Sequence, residues 1–421
     1  MKKNILVAQS GGPTAAINAT LSGILRAGMT SDKIDRIYGG LHGIQGIIDG
    51  HIIRLDDQIS GEEDLYLLQM TPAMALGSCR HRLAPYDISP DLYTAIHQIF
   101  KKLDIGYFFY IGGNDSMDTA LKLHEYFRRS GEDIQGIGVP KTIDNDLACT
   151  DHTPGFGSAV KYLTAALLEV AADACVYRKP SVTVLEIMGR DAGWLTASSG
   201  LAHLAGGAAP HLICLPEIPF DNDAFVEKLR RLQEQYMTVV VAVSEGMRMA
   251  DGSYAYKTAQ SGVVDPFGHQ YLSGAGRHLE HLAADRLGCK VRSIELSVLQ
   301  RSASHFASKT DIEESVMVGR EAVKLALTGT SGMMMAIERI SDYPYRSRVY
   351  PVDISLVANK VRTFPLEWID PETNRLTKQG IDYFLPLIGG ELACPTQNGM
   401  PLHFSFRREP LALEAQVITA G

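Results

Sequence analysis

Tyr107-Phe108-Phe109-Tyr110-Ile111-Gly112-Gly113-Asn114-Asp115-Ser116 is the stretch on which the reading of the fold turns. An apolar run of strand length enters a Gly-Gly turn, and an amphipathic stretch, Ser116–Arg129, begins at once. The amino terminus repeats the plan: Ile5–Ala8, then Gln9-Ser10-Gly11-Gly12-Pro13-Thr14, then an amphipathic Thr14–Met29. Outward from these two units, further candidate strands are Ile137–Val139, Val182–Ile187, Leu212–Leu215, Val239–Val243, Val291–Leu296 and Met333–Ile337. They alternate with candidate helices Leu92–Leu103, Phe156–Ala174, Asp223–Tyr236, Gly274–Leu287 and Asp311–Leu327. Strands apolar on both faces and separated by helices belong to parallel sheets wound on both sides, so the expected class is doubly wound α/β.

With 421 residues the chain has room for two or three domains. An apolar content of 45% with 21% charged residues excludes a disordered or collagen-like chain. The net charge of -8 and the lack of long Lys/Arg runs argue against a general nucleic-acid binder, though local arginines can still bind anionic small molecules. Six scattered cysteines form no C-x-x-C pair, so neither a disulfide framework nor a zinc knuckle is expected. No leader follows Met1-Lys2-Lys3-Asn4, and no run approaches the roughly 18 apolar residues of a membrane span. The expectation is a soluble, cytoplasmic protein with no membrane partner. Pro365 to Gly421 reads as a less regular appendage.

Ligands of open α/β sheets bind at the carboxyl ends of strands, which directs attention to the loops there. Gly11-Gly12 and Gly112-Gly113 each precede a helix, where backbone N–H groups and the helix N-terminus favour an anion. Either loop alone is equally consistent with a tight turn or an N-cap. No G-x-x-x-x-G-K-[ST] run is present, which disfavours a P-loop ATPase. The most informative loop is Pro140-Lys141-Thr142-Ile143-Asp144-Asn145-Asp146. Phosphoryl transfer needs a base for the accepting hydroxyl, a cation over the phosphates and a metal anchor. Asp144, Lys141 and Asp146 could supply these, although a solvated polar turn fits the bare pattern as well. Arg190 closes another strand with a fork suited to a phosphate or hydroxyl, and Glu245, Arg292 and Arg301 lie in or after others.

In order along the chain stand Ser10-Gly11-Gly12, Gly77-Ser78-Cys79-Arg80, Gly112-Gly113-Asn114-Asp115-Ser116, Lys141-Thr142-Ile143-Asp144-Asn145-Asp146, Met188-Gly189-Arg190, Ser244-Glu245-Gly246 and Leu299-Gln300-Arg301. This order resembles the 6-phosphofructokinase family over roughly residues 1–350. The length and the segment around Pro386-Leu387-Ile388 resemble its bacterial pyrophosphate-dependent branch. The resemblance implies two doubly wound parallel-sheet domains with an irregular C-terminal extension. Residues 1–157 with 300–350 would form the phosphoryl-donor domain, and 158–299 with 351–421 the sugar-phosphate domain and extension. It also implies reversible phosphoryl transfer from pyrophosphate to the 1-hydroxyl of fructose 6-phosphate, with Mg²⁺, in a homodimer or homotetramer.

Carried over residue by residue, Asp144 matches the base for the sugar 1-hydroxyl, and Asp146 an aspartate near the metal. Gly12, Arg80 and Gly113 match donor-binding positions. Thr142, Ile143, Met188, Gly189, Arg190, Glu245, Val298, Leu299, Gln300 and Arg301 match sugar-binding positions, and Arg292 an arginine that reaches a neighbouring subunit's sugar phosphate. ATP-using members carry glycines where Asp115 and Lys141 stand. A carboxylate in the α-phosphate's place repels a nucleotide, while the ammonium neutralises a leaving phosphate, which is the pyrophosphate-dependent pattern.

Three positions depart from the family. Asn114 replaces a metal-associated aspartate, so the metal would lean on pyrophosphate, Asp115 and Asp146. Ser181 stands where a basic residue is frequent, and Val298 where His or Tyr is; both bear on sugar affinity and choice. The alternatives are an ATP-dependent phosphofructokinase and a non-catalytic sugar-phosphate-binding regulatory subunit.

Overall fold

The computed structural model describes residues 2–256 and 274–412. Eleven of the thirteen strands among these residues form two main sheets, the other two (Thr396–Gln397 and Met400–Pro401) pairing by themselves: β1 (Lys3–Gln9), β2 (Ile34–Gly40), β3 (Ile52–Arg54), β4 (Ile105–Gly112), β5 (Gln135–Pro140), β6 (Ser181–Ile187), β7 (Leu212–Cys214), β8 (Thr238–Ser244), β9 (Lys290–Glu295), β10 (Met333–Asp342) and β11 (Tyr345–Asp353). The larger sheet runs β11-β10-β5-β4-β1-β2-β3 and the smaller β7-β8-β6-β9. The smaller sheet is parallel throughout, and the larger is parallel except at its two edges, β2–β3 and β10–β11.

Alternation along each strand feeds two separate cores, as a sheet covered on both faces requires. From β1, Ile5 and Val7 enter one core while Leu6 and Ala8 enter another. From β6, Val182 and Val184 face one layer and Leu185 and Ile187 the opposite one. The Phe156–Ala174 helix has the predicted bounds, and the other expected helices are displaced at their ends by three residues or fewer.

β2, β3 and β11 were not among the expected strands. A search for apolar runs passes over Ile34-Asp35-Arg36-Ile37 and the edge strand Tyr345–Asp353, whose outward positions are polar and exposed. The C-terminal region packs on both halves. Phe364, Tyr383 and Phe384 join a core of the small sheet, whereas Phe404 and Phe406 join one of the large sheet. Among the described residues no helix is long and apolar enough to cross a membrane.

A buried ion cluster ties the loop after β5 to β10, β11 and the Lys309–Ala326 helix. His152 lies between Asp151 (2.8 Å) and Glu314 (2.6 Å), with Arg339 on Asp151 (3.1 Å) and Tyr345 on Glu314 (2.7 Å). Burial pushes the imidazole down, but Glu314 and Asp151 outweigh it and hold its pKa up at about 9. Burial likewise opposes charge on the two carboxylates, and His152 overrides it to keep both below their usual range. A raised histidine stabilises the fold fully below its unfolded pKa and loses that contribution as pH rises through its folded value. Stability supplied by His152 should therefore fall between about pH 6.5 and about pH 9, by on the order of 1–3 kcal/mol. Urea unfolding across that range should show a steeper decline for the natural protein than for His152→Asn. Parallel pH profiles would contradict this role.

Candidate active site

β1, β4 and β5 are neighbours with aligned carboxyl ends: Gln9 pairs with Ile111, and Gly112 with Pro140. The chain leaves β1 for β2 on one side and returns through β4 on the other, a topological switch point of the kind where ligands bind. In the small sheet Ile187 pairs with Ser244, which sets Met188-Gly189-Arg190 beside Glu245. A cavity of about 520 Å³ joins these strand ends. Gly12, Arg80, Gly113, Asn114, Asp115, Lys141, Thr142, Ile143, Asp144, Asp146, Met188, Arg190, Glu245 and Arg301 all line it.

Lys141 is the centre of the donor-side loops. It is 2% exposed, and its Nζ donates to the carbonyl of Gly12 at 2.6 Å. Gly11 has φ +81°, and a Cβ there would come within 3.2 Å of that Nζ; a Cβ on Gly12 would meet Arg301 Nη1 at 3.0 Å. The positive φ favours glycine at Gly11, and at both positions a Cβ would crowd the end of a cationic side chain. Asp115 sits in the first turn of the Asn114–Arg129 helix, and its carbonyl accepts from Thr119 Oγ1 at 3.1 Å.

Asp144 and Asp146 flank Asn145, which adopts a left-handed conformation (φ 55°) and is fully buried. The Asn145 amide donates to Tyr383 Oη at 2.8 Å and accepts from Thr153 N at 3.1 Å. These bonds hold a conformation open to few residues other than glycine and asparagine. Burial raises Asp144, Arg190 opposes the shift and Asp191 adds to it. Burial and then Asp144 raise Asp146 to about 7, and burial and then Asp144 raise Glu245 to about 8. Burial, followed by the charge of Arg301, draws the Lys141 ammonium down to about 7. Arg301 is lowered by burial and by Arg80, and its Nε is buried with no hydrogen-bond partner. Arg301 as a residue lines the cavity, and a guanidinium in such a lining suits an anionic ligand.

Other expected residues lie around this centre. Gly189 N approaches Glu245 Oε1 at 3.4 Å. Gln300 is buried and accepts from Met188 N at 3.1 Å, which orders the Met188-Gly189 turn. Val298 and Leu299 are exposed beside it and outside the cavity lining. Arg292 is also outside the lining, exposed on β9 and paired with Asp173 at 3.1 Å. Asn114 has both ends of its amide engaged by the 359–360 backbone.

Sequence reasoning missed Asp191, Asn359 and Val361, which also line the cavity. Asp191 bridges Arg190 (3.1 Å) and Arg248 (3.0 Å), and its place directly after Met188-Gly189-Arg190 was a usable signal. Asn359 and Val361 follow no strand end and carried none.

Among the described residues no cluster of three His, Cys, Asp or Glu side chains forms a metal cage. Asp146 and Asn114 both line the cavity and could offer it a carboxylate and an amide oxygen. Oxygen donors of this kind are compatible with a hard divalent cation that draws most of its ligands from phosphates and water.

A family model described as Phosphofructokinase matches residues 4–326. A pyrophosphate–fructose 6-phosphate 1-phosphotransferase from Halomonas elongata is 40% identical over 401 residues, covering 94% of each chain. A protein of the same name from Xanthomonas campestris pv. campestris is 39% identical over 412 residues, covering 97% of each. Among solved structures, a pyrophosphate-dependent phosphofructokinase from Marinobacter aquaeolei aligns with a TM-score of 0.86 at 35% identity, over 98% of both chains.

The depressed Lys141 carries a consequence for anion binding. An anion pairs with the charged ammonium, so above its free pKa of about 7 binding must take up a proton. Pyrophosphate affinity, measured calorimetrically without metal, should fall with rising pH more steeply than in Lys141→Met, by up to about tenfold per unit. Titration of pyrophosphate itself is common to both proteins and cancels in the ratio. A pH-independent ratio would contradict the assignment.

Proposed function

Because the chain belongs to the phosphofructokinase family, with pyrophosphate-dependent relatives along nearly its whole length, we infer that its cavity moves a phosphoryl group between pyrophosphate and the 1-hydroxyl of fructose 6-phosphate. The products are fructose 1,6-bisphosphate and phosphate, and the reaction is reversible. The observation that carries the donor choice is Lys141, buried under the first glycine loop with its Nζ on the Gly12 carbonyl.

On this reading Asp144 accepts the proton of the sugar 1-hydroxyl as that oxygen attacks the transferred phosphorus. The bond from phosphorus to the bridging oxygen of pyrophosphate breaks, and phosphate departs towards Lys141 and Arg80. Arg301 meets the anionic ligands from the cavity lining, and Arg190, Glu245 and Met188 surround the sugar, with Gly189 in the turn between Met188 and Arg190. Thr142 fixes the Asp144 turn by accepting from its backbone N at 3.1 Å. Mg²⁺ would be held by Asp146 and pyrophosphate oxygens, with Asn114 contributing its remaining carbonyl lone pair. When bound it neutralises charge on the phosphates, which the side chains alone do only in part.

The donor domain is residues 1–157 with 300–350, and the sugar-phosphate domain is 158–299 with 351–421, the tail also packing against the donor domain through Phe404 and Phe406. Arg292, exposed on an edge strand, serves the sugar phosphate of a second copy in a homodimer or homotetramer.

A kinetic panel tests the reading: pyrophosphate and ATP as donors, with and without Mg²⁺. Asp144→Ala should lose about 10²–10⁴-fold in kcat while retaining sugar binding. Lys141→Gly should cut pyrophosphate turnover by the roughly 1.5–3 kcal/mol of a charge-assisted contact. The double variant Asp115→Gly/Lys141→Gly should be a poor pyrophosphate enzyme with measurable ATP activity, the two changes need not being additive because both line one cavity. Unchanged donor preference in all variants, or near-normal kcat for Asp144→Ala, would overturn the corresponding role.

Subunit contribution is tested by dilution. Activity should disappear as the oligomer dissociates, and Arg292→Met should raise the sugar KM while the oligomer persists. A monomer fully active at assay concentration would rule out the shared site.

A further inference from the structure

The segment Asn359–Arg362 lies more than two hundred residues beyond the loops it touches, yet it grips both. At one end Asn114 Nδ2 donates to the Lys360 carbonyl at 2.6 Å, while Asn114 Oδ1 accepts from Asn359 N at 2.6 Å. Asn359 adds a bond to Asp118 Oδ1 at 2.9 Å. At the other end Arg362 takes hold of the loop after β5 at four carbonyls. Its backbone N donates to Asp146 O at 2.8 Å, Nη2 to Asn145 O at 3.0 Å, and Nη1 to Thr150 O at 2.8 Å and Asp151 O at 2.7 Å. The guanidinium also stacks 4.4 Å from the Trp194 ring centroid, and Trp194 Nε1 donates to the Arg362 carbonyl at 3.0 Å. Between the two ends, Val361 bridges to Leu147.

We propose that Asn359–Arg362 is a clamp that sets the spacing between the second glycine loop and the Asp144–Asp146 loop, with Asn114 and Arg362 as its positioning residues. The claim rests on the phosphoryl-transfer reading of the cavity. Neither side chain is assigned contact with the sugar or the transferred group; they act through the backbone that carries Asp115 on one side and Asp144 and Asp146 on the other. The planar fork of arginine reaches three carbonyls at once, which a lysine ammonium cannot match in the same geometry. The amide of Asn114 is needed because it must donate and accept together. An aspartate there would accept from Asn359 N but would set a carboxylate oxygen against the Lys360 carbonyl. The clamp therefore gives a reason for asparagine at a position where the family resemblance leads one to expect a carboxylate.

Arg362→Met, Arg362→Lys and Asn114→Asp, with the natural protein as control, separate this role from simple structural support. In the unliganded proteins, amide hydrogen exchange over residues 144–152 should quicken by about tenfold or more in Arg362→Met, with exchange in the Ile17–Met29 helix unchanged. Misplacing reacting groups by about 1 Å costs on the order of 10²-fold, so kcat should fall by that order while the sugar KM moves by less than about threefold. Arg362→Lys should recover part of both. Asn114→Asp should lose about tenfold in kcat and quicken exchange at 359–362, although it adds a carboxylate beside the candidate metal position. Natural exchange and turnover in Arg362→Met overturns the clamp; so does Asn114→Asp with unchanged exchange and equal or higher kcat, the pattern of a residue that only faces the metal. If Arg362→Met does not fold, Arg362→Lys and Asn114→Asp decide by the same readings. Turnover of the natural protein with pyrophosphate tests the underlying reading by itself, whereas exchange in unliganded protein tests the clamp without it.

Discussion

Charge buried at facing strand ends is the constraint on which the rest of the structure depends. Lys141, Arg190 and Arg301 share a cavity with Asp144, Asp146 and Glu245. Removing these groups from water penalises the ionised form of each. The result is a set poised between charge states, with Lys141 and Asp146 near 7 and Glu245 near 8. Bound phosphate oxygens would restore the cations and a divalent metal the carboxylates, so ligand binding would relieve a cost that folding incurred.

Holding such groups together requires a scaffold that does not yield. Carboxyl ends of β1, β4 and β5 are in register, and two core layers fix the sheet that carries them. The left-handed Asn145 lets Asp144 and Asp146 both reach the cavity, and the ordering of that residue is distributed. Tyr383, Thr153 and Arg362 each bond to it, and the His152 cluster anchors the far end of the same loop. A strained residue persists where its surroundings over-determine it.

Strand-end loops were legible in the sequence because a Gly-Gly turn between an apolar run and an amphipathic helix is a local pattern. Gln9–Thr14 and Gly112–Ser116 could be read that way, Lys141–Asp146 as a charged loop directly after a strand, and residues of all three line one cavity. Edges were not legible: β2 and β11 show charged or polar residues to solvent and lack the apolar run that marks a central strand. Asn359–Arg362 was illegible for a different reason. Its partners, Asn114 and Asn145, are 245 and 217 residues away, and its bonds are mostly to backbone, which leaves no mark in side-chain type. Arg292 could be named from family resemblance, but its pairing with Asp173 is a tertiary fact.

Pyrophosphate differs from a nucleotide in offering no base or ribose to bind. Its affinity must come almost wholly from charge and hydrogen bonding, because there is no apolar surface to bury. That demand suits a desolvated ammonium better than a solvated one, since a charge pair strengthens as water is excluded. Lys141, at 2% exposure, meets it at the expense of a lowered pKa in the unliganded state. Asn359 and Val361 of the C-terminal region line the same cavity, so the residues around a bound anion come from distant parts of the chain.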